Sequence, residues 1–144
     1  MSTRTDYLNG IIVKKLGNDL VLAENTINFA TNNGVASDVV QAITVPKGAY
    51  VMQVGTYLHT AEGGTQTATV GDGAGANSWD ASVDLNAAGG TVTGGIPGTD
   101  AYATSGKLYT AEDTIDLTMS AHAADTAKIT VFCVYAIVQA VANA

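Results

Sequence analysis

Few side chains in this chain of 144 residues are suited to moving protons or holding a ligand. The histidines are His59 and His122, and the single cysteine is Cys133. His59 stands where an alternating run ends, close to Glu62, and His122 lies in the turn-like stretch from Ser120 to Asp125. Exposed imidazoles at such places are commonly idle. A Ser-His-Asp site would have to be assembled from distant positions, because no G-x-S-x-G or comparable motif marks a nucleophile. No enzyme is indicated. Cys133 sits inside the most apolar stretch and reads as a small hydrophobe, and one cysteine allows neither an internal disulfide nor a metal-binding cysteine cluster.

Two stretches invite a ligand reading. Asp72, Asn77, Asp80 and Asp84 offer oxygens of the kind that calcium takes, but the D-x-[DN]-x-[DN]-G order and the closing bidentate Glu are missing, so Asx turns in a glycine-rich loop are the adopted reading. Gly71-Asp72-Gly73-Ala74-Gly75 resembles a phosphate cradle only in composition. Nothing helical follows it, and an aspartate inside it would repel phosphate. No cofactor and no metal are therefore expected. Trp79, the only tryptophan, lies in the same glycine-rich region and reads as a plug for the open end of a sheet sandwich.

Bulk composition narrows the classes further. Thirteen acidic residues against six basic ones give a net charge of −7, a field that repels phosphate and membrane surfaces, so neither nucleic acid nor membrane is an expected partner. Charged residues make up only 13% of the chain and hydrophobic ones 47%, which argues against disorder. The opening MSTRTDYLNG carries no apolar core of secretory length, so export by that route is not indicated and synthesis in a cytoplasm is expected.

The elements that must carry these residues are strands. Residues 1–37 hold short apolar patches, Ile11 to Val13, Leu20 to Ala23 and Ile27 to Ala30, separated by Asn, Gly, Asp and Lys. They read either as an extended arm that forms brief strands or lies along a neighbouring surface, or as a pair of ordinary edge strands of the same domain. A body spanning 38–144 begins near Asp38. Val39, Ile43 and Val45 share one side of a strand ended by Pro46, and Tyr50, Met52, Val54 and Leu58 oppose Gln53, Tyr57 and His59 in the next. Glu62-Gly63-Gly64 then signals a hairpin into Thr65 to Val70. Residues 71–100 are glycine-rich and read as loop with one or two short strands, and Tyr102 to Tyr109 as a further strand. With about seven or eight strands and turn signals roughly every 8 to 12 residues, the expected fold is all-β, a jelly-roll-like β-sandwich with an extended N-terminal arm.

The C-terminal stretch TIDLTMSAHAADTAKITVFCVYAIV, read as a closing hairpin, is the most informative. Ile115, Leu117 and Met119 alternate with Thr114, Asp116 and Thr118, the mark of one wet face. After a turn, every residue from Val131 to Val138 is apolar or aromatic. So short a run cannot span a bilayer, which takes roughly 20 residues in a helix, and protein must cover its second face. Phe132, Val134, Ala136 and Val138 are the candidate subunit interface.

The order TVPKGAYVMQVGTYLHTAEGGTQTATVGDG, WDASVDLN, KLYTAEDTIDLTMS, KITVFCVYAIV resembles the head decoration, or cement, proteins of tailed bacteriophages, over about residues 38 to 138. The resemblance implies a structural protein made in the bacterial host cytoplasm that sits as a homotrimer on the outer capsid surface and braces the major capsid protein. The candidate capsid contact is Ile11, Ile12, Val13, Lys14 and Lys15, which include the only adjacent basic pair. A rival function is a carbohydrate-binding module on a phage fibre or knob, with Tyr57, Tyr102, Tyr109 and Trp79 as a stacking platform.

Overall fold

The computed structural model describes residues 2–16, 20–86, 91–93, 101–102, 105–120 and 123–138. Eleven strands lie within them: β1 (Thr3–Arg4), β2 (Ile12–Leu16), β3 (Leu20–Asn28), β4 (Val39–Val45), β5 (Ala49–Thr60), β6 (Thr67–Asp72), β7 (Gly75–Asp84), β8 (Thr91–Thr93), β9 (Lys107–Leu108), β10 (Asp113–Met119) and β11 (Lys128–Ile137). Sheet A has the order β1-β4-β10-β6-β7, and sheet B the order β2-β3-β11-β5-β8 with β9 also paired to β5. The two sheets pack as the expected all-β, jelly-roll-like sandwich. Ile27, Val51, Leu58, Ile129, Val131 and Cys133 of sheet B meet Val40, Ile43, Val70, Ile115 and Leu117 of sheet A in a core sealed from water.

From β3 to β6 the chain crosses between the sheets at every step, and it crosses again from β10 to β11. Two readings of turns are corrected by this. Glu62-Gly63-Gly64 does not close a hairpin; it carries the chain from β5 in sheet B to β6 in sheet A. Likewise β10 and β11 are not the arms of one hairpin: β10 pairs with β4 and β6, and β11 with β3 and β5. The two crossings are tied together at one end, where the Glu62 carboxylate accepts hydrogen bonds from the backbone N–H of Asp125, Thr126 and Ala127. The hairpins that do form are β2–β3 and β6–β7, and the second lies inside the supposed loop. There the chain reverses at Gly73-Ala74, and Gly71 is required because a Cβ on it would lie 1.9 Å from the Gly75 carbonyl oxygen.

Strand faces follow the expected alternation except at bulges. In β10, Ile115, Leu117 and Met119 point inward as read from the sequence. In β4 the pairing shifts register opposite Ile115/Asp116, so that Val40, not Val39, joins Ile43 and Val45 in the core. In β5 a shift opposite Val134/Tyr135 puts Val51, Val54 and Leu58 inside and leaves Tyr50 half-buried and Met52 exposed. Each bulge adds a residue to one strand and so exchanges the faces beyond it.

The first 37 residues are built into the sandwich. β1 runs parallel to β4, and β3 lies between β2 and β11 with Ala23, Ile27 and the following Phe29 in the core. Asp38, at the expected boundary, accepts from Ser2 and Arg4. Within this segment β3 is a direct neighbour of β11, so removing residues 2–30 would strip β11 of a paired strand.

Candidate functional site

The outward face of sheet B is set by register. One rung joins Thr26, Thr130 and Tyr57; the next joins Ile12, Glu24, Phe132 and Gly55; then Lys14, Leu22, Val134 and Gln53; then Leu16, Leu20, Ala136 and Tyr50. Period-two alternation puts Ile129, Val131, Cys133 and Tyr135 of β11 in the core, leaving Phe132, Val134 and Ala136 half-buried on the outside. Val138 follows the strand end and is 36% exposed. Three of the four residues read as a subunit interface thus share one face, continuous with Leu20, Leu22 and Ile12. Phe132 lies flat because its neighbour is Gly55: a Cβ there would stand 2.3 Å from the ring.

The face has two halves. Toward Ala136 and Leu20 it is apolar. Toward Thr130 it becomes polar, where the Thr130 hydroxyl meets both Thr26 Oγ1 and His59 Nε2 at 2.7 Å, and the Tyr57 and His59 rings pack edge to face at 4.8 Å between centroids. Glu24, Thr26, Tyr57, His59, Thr130 and Phe132 line a shallow open groove. His59 thus has a hydroxyl partner, which no sequence motif announced, since Thr130 lies on a different strand.

Of the predicted capsid contact, Ile12 to Lys15 lie in β2, the edge strand of sheet B, preceded by Ile11. Ile12 and Val13 are 49% and 58% exposed, and Lys14 forms a loose ion pair with Glu24 at 3.8 Å.

Outer sheet A differs in chemistry. Thr114, Asp116 and Thr118 of β10 stand beside Thr44, Gln41, Val39 and Thr69. Asp116 is nearly buried, and burial pushes its carboxyl up to about 6 against the hydrogen bond from Thr114, with Asp113 and Asp72 adding repulsion.

The candidate ligand residues are used within the fold. Asp72 is fully buried; one oxygen accepts from Lys107 Nζ at 2.6 Å and Tyr109 Oη at 2.8 Å, the other from the backbone N–H of Ala74 and Gly75. Burial raises its pKa, but Lys107 and the other donors outweigh it and hold the carboxyl below its usual range. Asp80 and Asp84 accept from the backbone N–H of Ser82 and Asn86, two residues on, as Asx turns do. Among the described residues no three acidic, histidine or cysteine side chains converge as a metal site would require. Trp79 is a fully buried residue of β7, donating from Nε1 to Tyr109 Oη at 3.2 Å and packing edge to face on Tyr102. With Trp79 and Tyr109 buried, the stacking platform Tyr57, Tyr102, Tyr109 and Trp79 is not assembled. His122 lies outside the described residues. Burial drives the Cys133 thiol up to about 12, so it stays protonated.

No protein-family model matches the chain, and no curated protein matches it in sequence. Solved structures do. A chain in the capsid of Ralstonia phage GP4 superposes with a TM-score of 0.67 at 14% identity, over 94% of this chain and 96% of that one. A chain in the acid-stable capsid of Helicobacter pylori bacteriophage KHP30 gives 0.60 at 17% identity over 88% and 94%, and one in the capsid asymmetric unit of cyanophage Pam1 gives 0.62 at 16% over 88% and 91%. At these identities the likeness shows a shared fold, extending nearly end to end in both partners.

Proposed function

We propose that this chain is a structural virion protein that binds the outer surface of a phage capsid as a homotrimer and stabilises it. Its partners in this reading are the major capsid protein and its own copies, and it reaches the virion after synthesis in the bacterial host cytoplasm. The observation that carries the reading is the near full-length likeness to chains in three phage capsids. The outward face of sheet B supports it: Phe132, Val134 and Leu22 are half-buried, and completing their burial against a sister subunit contributes on the order of 1 kcal/mol each per protomer. A cyclic trimer closes such a face without leaving it open to further copies. Cementing calls for no reacting groups, only several modest contacts whose avidity rises when one trimer grips several capsid subunits.

The test is the mass of the recombinant chain by multi-angle light scattering, together with electron cryo-microscopy of the intact particle. Three times the 14.6 kDa chain mass, and matching density outside the shell, are expected. A monomer at micromolar concentration, or density confined to the shell interior, would overturn the reading.

A further inference from the structure

We infer that the free edge of β2 takes up an extended strand from another protein of the shell, pairing backbone to backbone. This rests on the virion reading above. β2 ends sheet B, so among the described residues no strand lies along one row of its N–H and C=O groups. The other sheet edges are blunted. Sheet A ends in β1, only two residues long, and in β7, whose pairing with β6 shifts register twice. The far edge of sheet B is divided between β8, of three residues, and β9, of two. Short strands and bulges are the devices that keep a sheet from growing. β2 has neither: its five residues run in unbroken register from Ile12 opposite Glu24 to Leu16 opposite Leu20.

Two of its apolar side chains, Ile12 and Val13, are uncovered, one on each face. Ile12 faces outward and is 49% exposed, while Val13, in register with the buried Ala23, is 58% exposed on the core side. Sheet B therefore runs past sheet A here, and an added strand finds apolar surface above and below it.

Charge selects the occupant. The midpoint of β2 is Lys14, 60% exposed, in a chain of net charge −7. Antiparallel pairing with β2 of a second copy about that midpoint would set Lys14 against Lys14, which is destabilising. An extended segment of a different protein, apolar at alternate positions and carrying a carboxylate opposite Lys14, satisfies both the faces and the charge.

Hydrogen–deuterium exchange of the full chain, free and on purified phage particles that carry it, tests this. The alternate backbone amides of residues 12–16 that face the free edge, not those bonded to β3, are expected to exchange freely in the isolated protein and to be protected on the particle. Lys14→Glu should weaken retention on particles about tenfold and Lys14→Arg should preserve it. Attachment with these amides still exchanging freely overturns the inference alone, and so does protection already present in the isolated trimer, which would assign the edge to a sister copy. Absence of the chain from particles overturns the virion reading and this inference with it.

Discussion

At the scale of single residues, two carboxylates of similar burial behave oppositely because one has a cation and the other does not. Lys107 lies 2.6 Å from Asp72, with its ammonium 4.6 Å from the ring centroids of both Tyr102 and Tyr109. Lys107→Met should therefore destabilise the fold by about 3 kcal/mol in urea titrations at pH 7, since it leaves a buried carboxylate uncompensated. Asp72 is held below its unfolded pKa, so the stability it contributes is present above that value and is lost as pH falls below about 4. The gap between wild type and Lys107→Met should close over that range. Asp116 has the reverse sign. Its carboxyl titrates near 6 in the folded protein, against 3.8 ordinarily, so stability falls as pH rises from the lower value to the higher and stays reduced above it. Asp116→Asn keeps an acceptor for the Thr114 hydroxyl and should raise stability by about 1 to 2 kcal/mol at pH 8, with no gain at pH 3. A gain that persists at pH 3 would show packing, not charge, to be the cause.

At the scale of elements, strands were legible and their partners were not. Alternation in β10 reported its inward residues because Ile115, Leu117 and Met119 fall on one side of an inward-facing strand without interruption. The same logic failed in β4 and β5, where bulges near Ala42 and Met52 exchange the faces. Bulges are fixed by the neighbouring strand, and no local residue type requires one at these places. Turn signals fared similarly: Glu62-Gly63-Gly64 marks a reversal, yet glycine supplies the same freedom to a hairpin and to a crossing between sheets. The tight reversal after Gly71 is the more demanding one. Gly71→Ala would push a methyl into the Gly75 carbonyl and the Ala76 backbone, which cannot swing aside as a side chain could. It should cost about 2 to 4 kcal/mol and loosen the β6–β7 hairpin, read out by the fluorescence of Trp79, the sole tryptophan. Unchanged emission and unfolding midpoint would mean that the hairpin relaxes around the methyl.

At the scale of the whole molecule, the outward face of sheet B is the feature around which the proposed assembly turns. Val134 sits mid-face between Leu22 and Gln53, half-exposed in the single chain. Val134→Asp should leave the far-UV spectrum intact and the fold within about 1 kcal/mol of wild type, but release monomers in light scattering. Cys133→Asp, one position away, should unfold the chain, because it would bury an unpaired charge. An unchanged trimer mass for Val134→Asp would place the interface on another surface. The sequence alone determined the all-β class, the acidic balance, the two apolar faces of β11 and the thinness of any catalytic inventory, since all of these are properties of composition and of local period two. Only the tertiary structure decided that Asp72 is internal and Trp79 bonds to Tyr109, that the first 37 residues supply β1 to β3, that β10 and β11 belong to different sheets, and that His59 meets Thr130. Each of these depends on which strands become neighbours, and that is settled by the packing of two sheets against one another over long chain separations, where no local pattern reaches.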